Sequence, residues 1–270
     1  MKEEATTLGA VDVFTPRMLD EALRLKAETP EAVPIQGGTD VMEGLNFGRA
    51  RPTALLNLNE VEELRGWSRS DGSVWLGAGL TYTEAMEEPL GELLPALAEA
   101  ARTVGGPQIR NRGTIGGNLG TASPAGDALP PLLVNGAEVK VASVRGERTI
   151  ALDEFLVGPR RNALAGDELI VGVSVDARTA PQTFMKVGPR NAMVISVVSL
   201  ALRVDGELIA AYGSAGPVPG VVRAPLDDVS SFPDKVAAAA SPIDDVRGTA
   251  GYRRHALRVL TKRALERCLA

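Results

Sequence analysis

A chain of 270 residues, 44% of them hydrophobic, is long enough to bury substantial cores and to form two or three compact units. Its formal net charge of −5 gives no global positive field for nucleic acid or an anionic membrane, and no run approaches the ~18 apolar residues of a membrane span. A single cysteine, Cys268, excludes an internal disulfide framework, a cysteine-rich zinc site and an iron–sulfur cluster held by this chain alone, so redox chemistry here requires an organic cofactor.

The first thirteen residues, MKEEATTLGAVDV, lack the basic start and apolar core of a signal peptide, and the expected location is cytoplasmic. Thr15 as cap and Pro16 in the first turn predict a helix over residues 18–28, with Leu19, Ala22, Leu23 and Lys26 on one stripe. Residues 32–36 (AVPIQ), 54–58 (ALLNL) and 73–76 (SVWL) read as short strands bounded by turn residues. One helix is expected over residues 90–103, stopped by Gly105-Gly106-Pro107. Residues 137–144 and 147–150 read as a hairpin across Arg145-Gly146, residues 168–175 as a further strand, and the polar residues 176–182 as a boundary. Beyond it come a strand over 183–187 and a hairpin, 195–204 with 207–212, around Asp205-Gly206. Two helices end the chain. The last, near residues 252–269, carries Arg253, Arg254, Arg258, Lys262, Arg263 and Arg267 against one acid, Glu266, and reads as a solvated face or a docking surface for an acidic partner.

Familiar catalytic signatures are missing. No lysine follows a glycine, so there is no phosphate-binding P-loop. Gly77-Ala78-Gly79 after a strand is a weak dinucleotide fingerprint, because Tyr82 stands where helix–strand packing needs a small residue. The only histidine, His255, lies in the basic last helix without a partner, and no pattern organises the carboxylates around a metal or nucleophile. No catalytic residue and no metal ligand are assigned.

Two glycine-rich segments remain, PIQGGTD (residues 34–40) and TIGGNLGTASPAGD (residues 114–127). Consecutive glycines admit close approach of a ligand, and successive backbone N–H groups can form a nest for anionic oxygens. Thr39 and Asp40 in the first, and Thr114, Asn118, Thr121, Ser123 and Asp127 in the second, add donors and acceptors suited to sugar hydroxyls and ring edges. Composition alone leaves these segments balanced between surface crossings and a ligand cradle.

Residues 108–130 (QIRNRGTIGGNLGTASPAGDALP) resemble the second flavin-binding signature of the FAD-binding medium subunit of the molybdenum hydroxylases, the xanthine dehydrogenase and aerobic carbon monoxide dehydrogenase family, and QGGTD resembles its first. LGAG at residues 76–79, the stretch from Met185 (MKVGPRNAMVISVVSLAL) and SPIDDVRGTAGYRR resemble later landmarks. The resemblance implies an α+β fold shared with vanillyl-alcohol oxidase and peptidoglycan-precursor reductase relatives. Two α+β FAD-binding subdomains, 1–59 and 60–176, would be followed by a C-terminal α+β domain, 177–270.

The resemblance also implies site residues and partners. Ile35, Gln36, Gly37, Gly38, Thr39 and Asp40 are expected on one side of the FAD pyrophosphate, and Thr114, Ile115, Gly116, Gly117 and Asn118 on the other. Thr121 and Ser123 would bond ribityl or phosphate oxygens, Asp127 would accept from a sugar hydroxyl, and Lys186 would lie at the pyrimidine edge of the flavin. FAD is expected to be non-covalent. A small subunit with [2Fe–2S] clusters and a large subunit with the molybdenum pterin cofactor would complete a dimer of heterotrimers, with electrons leaving through FAD to an external acceptor. The competing readings are a stand-alone flavin oxidoreductase with its own substrate pocket and a scaffold that has lost flavin.

Overall fold

The computed structural model describes residues 11–176 and 178–270; the amino-terminal segment read for a signal peptide lies, up to residue 10, outside the described residues, as does residue 177 of the expected boundary. The first unit contains β1 (Asp12–Phe14), α1 (Leu19–Glu28), β2 (Val33–Ile35), α2 (Val41–Asn46) and β3 (Ala54–Asn57). The three strands are parallel in the order β1-β3-β2, so each connection must cross over, and α1 and α2 supply the crossovers. Thr15 does not cap α1 and Pro16 lies outside it. Met18 is the capping position, and two carboxylates take the threonine's place: Glu21 accepts from the Arg17 N–H at 2.9 Å and Glu63 from the Leu19 N–H at 3.1 Å.

The second unit begins with β4 (Trp67–Ser70) and β5 (Ser73–Gly77) and continues through five helices: α3 (Leu90–Leu93), α4 (Pro95–Thr103), α5 (Pro107–Arg110), α6 (Ile115–Thr121) and α7 (Leu129–Val134). It closes with β6 (Glu138–Ser143), β7 (Gly146–Ala151), α8 (Leu152–Phe155), β8 (Leu156–Gly158), β9 (Arg161–Asn162) and β10 (Leu169–Asp176). Five strands form an antiparallel sheet in the order β4-β5-β10-β6-β7. The most apolar strand, β10, is central, as burial on both faces requires. The single helix expected over 90–103 is two. Pro95 lacks an N–H and crowds the residue before it, leaving Leu94 non-helical at φ −128°, ψ 62°.

The third unit is β11 (Gln182–Val187), β12 (Val198–Val204), β13 (Glu207–Gly213) and β14 (Gly220–Pro225), an antiparallel sheet in chain order, with α9 (Phe232–Ala239) and α10 (Ala250–Leu269). The β12–β13 hairpin turns at Asp205-Gly206, with Gly206 at φ +68°. Side chains alternate across the sheet. Val198, Leu200, Leu202, Leu208 and Ala210 pack beneath α9 and α10, while Phe184, Ala201, Ile209 and Ala211 join the core of the preceding units, where α4 and α7 cover them.

The basic run of α10 is not one solvated face. Arg253 is buried, donating to the carbonyls of Val197 (2.8 Å) and Ser214 (2.5 Å) and pairing with Asp245 at 2.6 Å. Arg258 pairs with Asp234 and Arg267 with Glu99, which leaves Arg254, Lys262 and Arg263 exposed without an ion-pair partner among the described residues.

Candidate functional site

The first glycine segment links β2 to α2. Gly38 has φ +74°, a left-handed backbone that glycine adopts without strain. Gly37 is pressed against the residues just before the other segment: a Cβ there would lie 2.0 Å from the Arg112 carbonyl oxygen. The N–H groups of Gly37, Gly38, Thr39 and Asp40 meet no protein acceptor among the described residues. Four consecutive free donors are the kind of backbone run that can bind anionic oxygens. Ile35 ends β2, and the Gln36 side chain packs where a Cβ on Gly79 would lie, with Nε2 at 2.3 Å from that position.

The second segment is a helix rather than an extended loop over its first half. Thr114 caps α6, its hydroxyl accepting the Gly117 N–H at 2.9 Å. The N–H of Ile115 bonds the Leu80 carbonyl (2.9 Å), that of Gly116 the Ala78 carbonyl (2.8 Å) and that of Asn118 the Thr114 carbonyl (3.0 Å). The backbone donors expected from these residues are thus consumed by the protein. In the second segment the N–H groups of Thr114, Ser123 and Asp127 also meet no protein acceptor among the described residues, but they are scattered rather than consecutive. Gly116 serves packing, since a Cβ there would meet Ala78 at 2.7 Å, whereas Gly117 is exposed and its Cβ position touches only the Thr114 hydroxyl, at 3.1 Å.

The two segments are tied by Asp40, whose Oδ2 accepts from the Thr121 hydroxyl (3.3 Å) and the Arg160 guanidinium (3.0 Å). Ser123 accepts the Ala125 N–H at 3.3 Å and folds the loop after α6, while Asn118 packs over Gly126 with its buried Oδ1 unpartnered. Asp127 and Lys186 form a buried ion pair of 2.6 Å, with side chains only 7% and 6% exposed; Lys186 also donates to the Thr103 carbonyl at 3.2 Å. Oδ1 of Asp127 has no partner among the described residues. Beside Lys186 opens a cavity of about 450 Å³ whose walls include Thr103, Gly105, Gly106, Gly188 and Val194. A second cavity of similar size, lined by Leu133, Glu138, Asp153 and Arg223 among others, contains none of the residues predicted from sequence.

Burial pushes the Asp127 carboxyl up to about 6, against the opposing pull of the Lys186 charge. The neighbouring Tyr82 phenol is raised by burial and then by the Asp127 charge. Because the folded Asp127 holds its proton above the ordinary carboxylate value of 3.8, the native state binds more protons than the unfolded chain between about pH 4 and 6. Its contribution to stability is therefore full below that window and is lost as pH rises through it, by about 3 kcal/mol. Asp127→Asn is expected to flatten the pH dependence of urea denaturation across pH 4–6; an unchanged slope would count against a buried carboxyl titrating there.

Sequence reasoning missed three arginines and a pair of glycines. Arg110 donates to the carbonyls of Val104 (3.2 Å) and Gly105 (3.0 Å), fixing the Gly105-Gly106 wall of the cavity. Arg112 donates to the Gln36 carbonyl at 3.3 Å, and Arg160 reaches Asp40 from the β8–β9 hairpin. Arg110 and Arg112 lie inside the quoted signature, so position was available as a signal; nothing in the sequence near Arg160 pointed to the glycine segments.

Residues 9–176 match the family described as the FAD-binding domain in molybdopterin dehydrogenase. The chain is 30% identical over 273 residues to the xanthine dehydrogenase FAD-binding subunit of Escherichia coli O157:H7, covering 93% of this chain and 94% of that one. It is 35% identical over 213 residues to the nicotinate dehydrogenase FAD-subunit of Eubacterium barkeri, 75% of this chain and 72% of the relative. Among solved structures it superposes on carbon monoxide dehydrogenase from Hydrogenophaga pseudoflava, in a form lacking the Mo-pyranopterin moiety of the molybdenum cofactor. The TM-score is 0.88 at 25% identity, with 96% of this chain and 97% of that one covered.

Proposed function

This chain belongs to the family of FAD-binding domains in molybdopterin dehydrogenases, and from that premise we propose that it is the subunit through which electrons leave a molybdenum hydroxylase complex. It is an oxidoreductase subunit with FAD as its cofactor. In the proposed complex, [2Fe–2S] clusters of a small subunit deliver electrons from a molybdenum-cofactor large subunit, and an external acceptor removes them. The complex is a cytoplasmic dimer of heterotrimers. Among the described residues no helix is long and apolar enough to cross a membrane.

The observation that carries this reading is the run of four N–H groups without a protein acceptor, Gly37 to Asp40, beside α6. Its residues fit FAD in a second respect: Oδ1 of Asn118 and Oδ1 of Asp127 are buried acceptors that lack donors, and the hydroxyls of a sugar chain supply them. Bound FAD supplies electron transfer in one- or two-electron steps. The turn of residues 37–40 binds the pyrophosphate, with Ile35 and Gln36 behind it. Gly116 seats α6 on Ala78, and the exposed Gly117 gives the pyrophosphate room. Thr114, Ile115 and Asn118 hold α6 in place, Thr121 and Ser123 border the ribityl or phosphate oxygens, and Asp127 accepts from a hydroxyl. Lys186 stands at the pyrimidine edge, where its charge favours negative charge on the ring, and Asp127 holds the lysine there. Residues 1–59 and 60–176 form the two halves of this cradle and residues 177–270 its cover. Attachment is non-covalent: His255 and Cys268 both lie on α10, which packs on α9, β11 and β12.

The test is an absorption spectrum of the complex purified with its partners, followed by addition of a purine, carbon monoxide, an aldehyde or an N-heterocycle. Flavin bands with iron–sulfur shoulders that bleach with one of these, and only when the partners are present, are expected. Reduction of the isolated chain by a small substrate would instead establish a stand-alone oxidoreductase.

A further inference from the structure

We propose that Arg160 is a cofactor-binding residue, supplying to the FAD pyrophosphate the positive charge that both glycine segments lack; this rests on the FAD reading above. Neither residues 34–40 nor residues 114–127 contain a lysine or arginine, so the free N–H groups of residues 37–40 are neutral donors facing a doubly charged group. The same turn ends in a carboxylate. Asp40 would repel an anion bound there unless a cation offset it, and Arg160 at 3.0 Å is the cation that contacts it.

The fold holds Arg160 at this point by several independent bonds. The β8–β9 hairpin is fastened to the end of α6: the Arg160 N–H donates to the Ala122 carbonyl (3.0 Å), and the Asn162 amide donates to the Gly120 carbonyl (2.8 Å). Arg160 has φ +55°, in the left-handed region where a non-glycine residue is uncommon. A tip position that suits glycine is occupied by the side chain that reaches Asp40, the carboxylate that also accepts from the Thr121 hydroxyl. The pair is exposed, 65% for Arg160 and 48% for Asp40, so its intrinsic strength is small and the guanidinium can turn from one oxygen anion to another at little cost. A planar guanidinium also matches phosphate oxygens in bidentate fashion. Arg112, the other arginine near the turn, is occupied by the Gln36 carbonyl and the Asn59 side chain, both at 3.3 Å.

The test is titration of the full chain, stripped of flavin, with FAD, followed by fluorescence at several salt concentrations and with ADP as competitor. Arg160→Gln is expected to raise the Kd about tenfold to a hundredfold, as for loss of one charge-assisted hydrogen-bonding group, to flatten its salt dependence and to weaken competition by ADP. Arg160→Lys should recover part of the affinity. Asp40→Asn removes the competing carboxylate and should tighten FAD severalfold. Arg160→Gln with wild-type affinity and salt dependence would overturn the assignment. So would Asp40→Asn weakening FAD as much as Arg160→Gln, because the pair would then merely brace the two segments. Wild-type chain that takes up no FAD would overturn the underlying reading instead.

Discussion

Replacing Gly37 by valine is expected to abolish FAD uptake and to lower stability by about 3 kcal/mol, the upper part of the range for forcing atoms into a packed site. The cause is geometric. A Cβ at residue 37 would lie 2.0 Å from the Arg112 carbonyl oxygen and 2.7 Å from its carbon, and both are backbone atoms that no rotamer change can move. The turn of residues 37–40 would be pushed off the segment leading into α6, separating the two halves of the cradle. Gly117→Ala is the informative companion. Its Cβ meets only the Thr114 hydroxyl, at 3.1 Å, so the chain should fold with near-native stability while FAD binding weakens, because the added methyl occupies space reserved for the ligand. Equal stability losses in the two variants, measured by urea denaturation of the flavin-free chain, would contradict this division between packing and binding. Gly116→Ala belongs with Gly37, since its Cβ meets Ala78 at 2.7 Å.

Lys186→Met is expected to cost about 3 kcal/mol at pH 8, because it leaves the Asp127 carboxylate buried without its counter-ion. The sign of the pH effect is specific. With Lys186 present, burial already holds the Asp127 carboxyl up at about 6; without it the opposing attraction disappears and the carboxyl rises further. The native variant therefore retains a proton over a wider range than the unfolded chain, and the difference from wild type is largest above pH 6 and shrinks toward pH 4. Urea titrations of the two proteins at pH 8 and pH 5 measure it. A loss that is equal at both values would mean that Lys186 stabilises only through the Thr103 carbonyl, which does not titrate here. Asp127→Asn combined with Lys186→Met should recover part of the loss, as expected for two residues whose energies are coupled.

Much of the fold was legible because it rests on local signals. The β12–β13 hairpin followed from Asp205-Gly206 between apolar runs, and β10 from an uninterrupted apolar stretch. The break at Pro95 was also legible in principle, and reading 90–103 as one helix gave alanine and leucine content more weight than the proline. What escaped was short or dependent on distant partners. The strand β1 has three residues and exists because Ala54, Leu55 and Leu56 lie beside it. The helix α6 is seven residues long and includes three glycines, so its composition argues for a loop; Thr114 as cap and the bonds to Ala78 and Leu80 overrule that composition.

The candidate site divides along the same line. The two glycine segments stood out by composition, and Lys186 entered only through the family resemblance. That the N–H groups of Ile115 and Gly116 are used by the protein was not visible, because their acceptors, Leu80 and Ala78, lie 35 and 38 residues earlier in the chain. The Asp127–Lys186 pair joins residues 59 apart, and Arg160 approaches Asp40 across 120 residues. Such contacts belong to tertiary structure, and no window of sequence contains both partners.

The most direct measurement is titration of the flavin-free full chain with FAD, following the visible spectrum, for wild type and Gly37→Val in parallel. One FAD bound per wild-type chain, with no uptake by the variant, is the predicted result. A wild-type chain that stays colourless at micromolar FAD, or a Gly37→Val variant that fills with flavin as completely as wild type, would contradict the placement of the cofactor between these two segments.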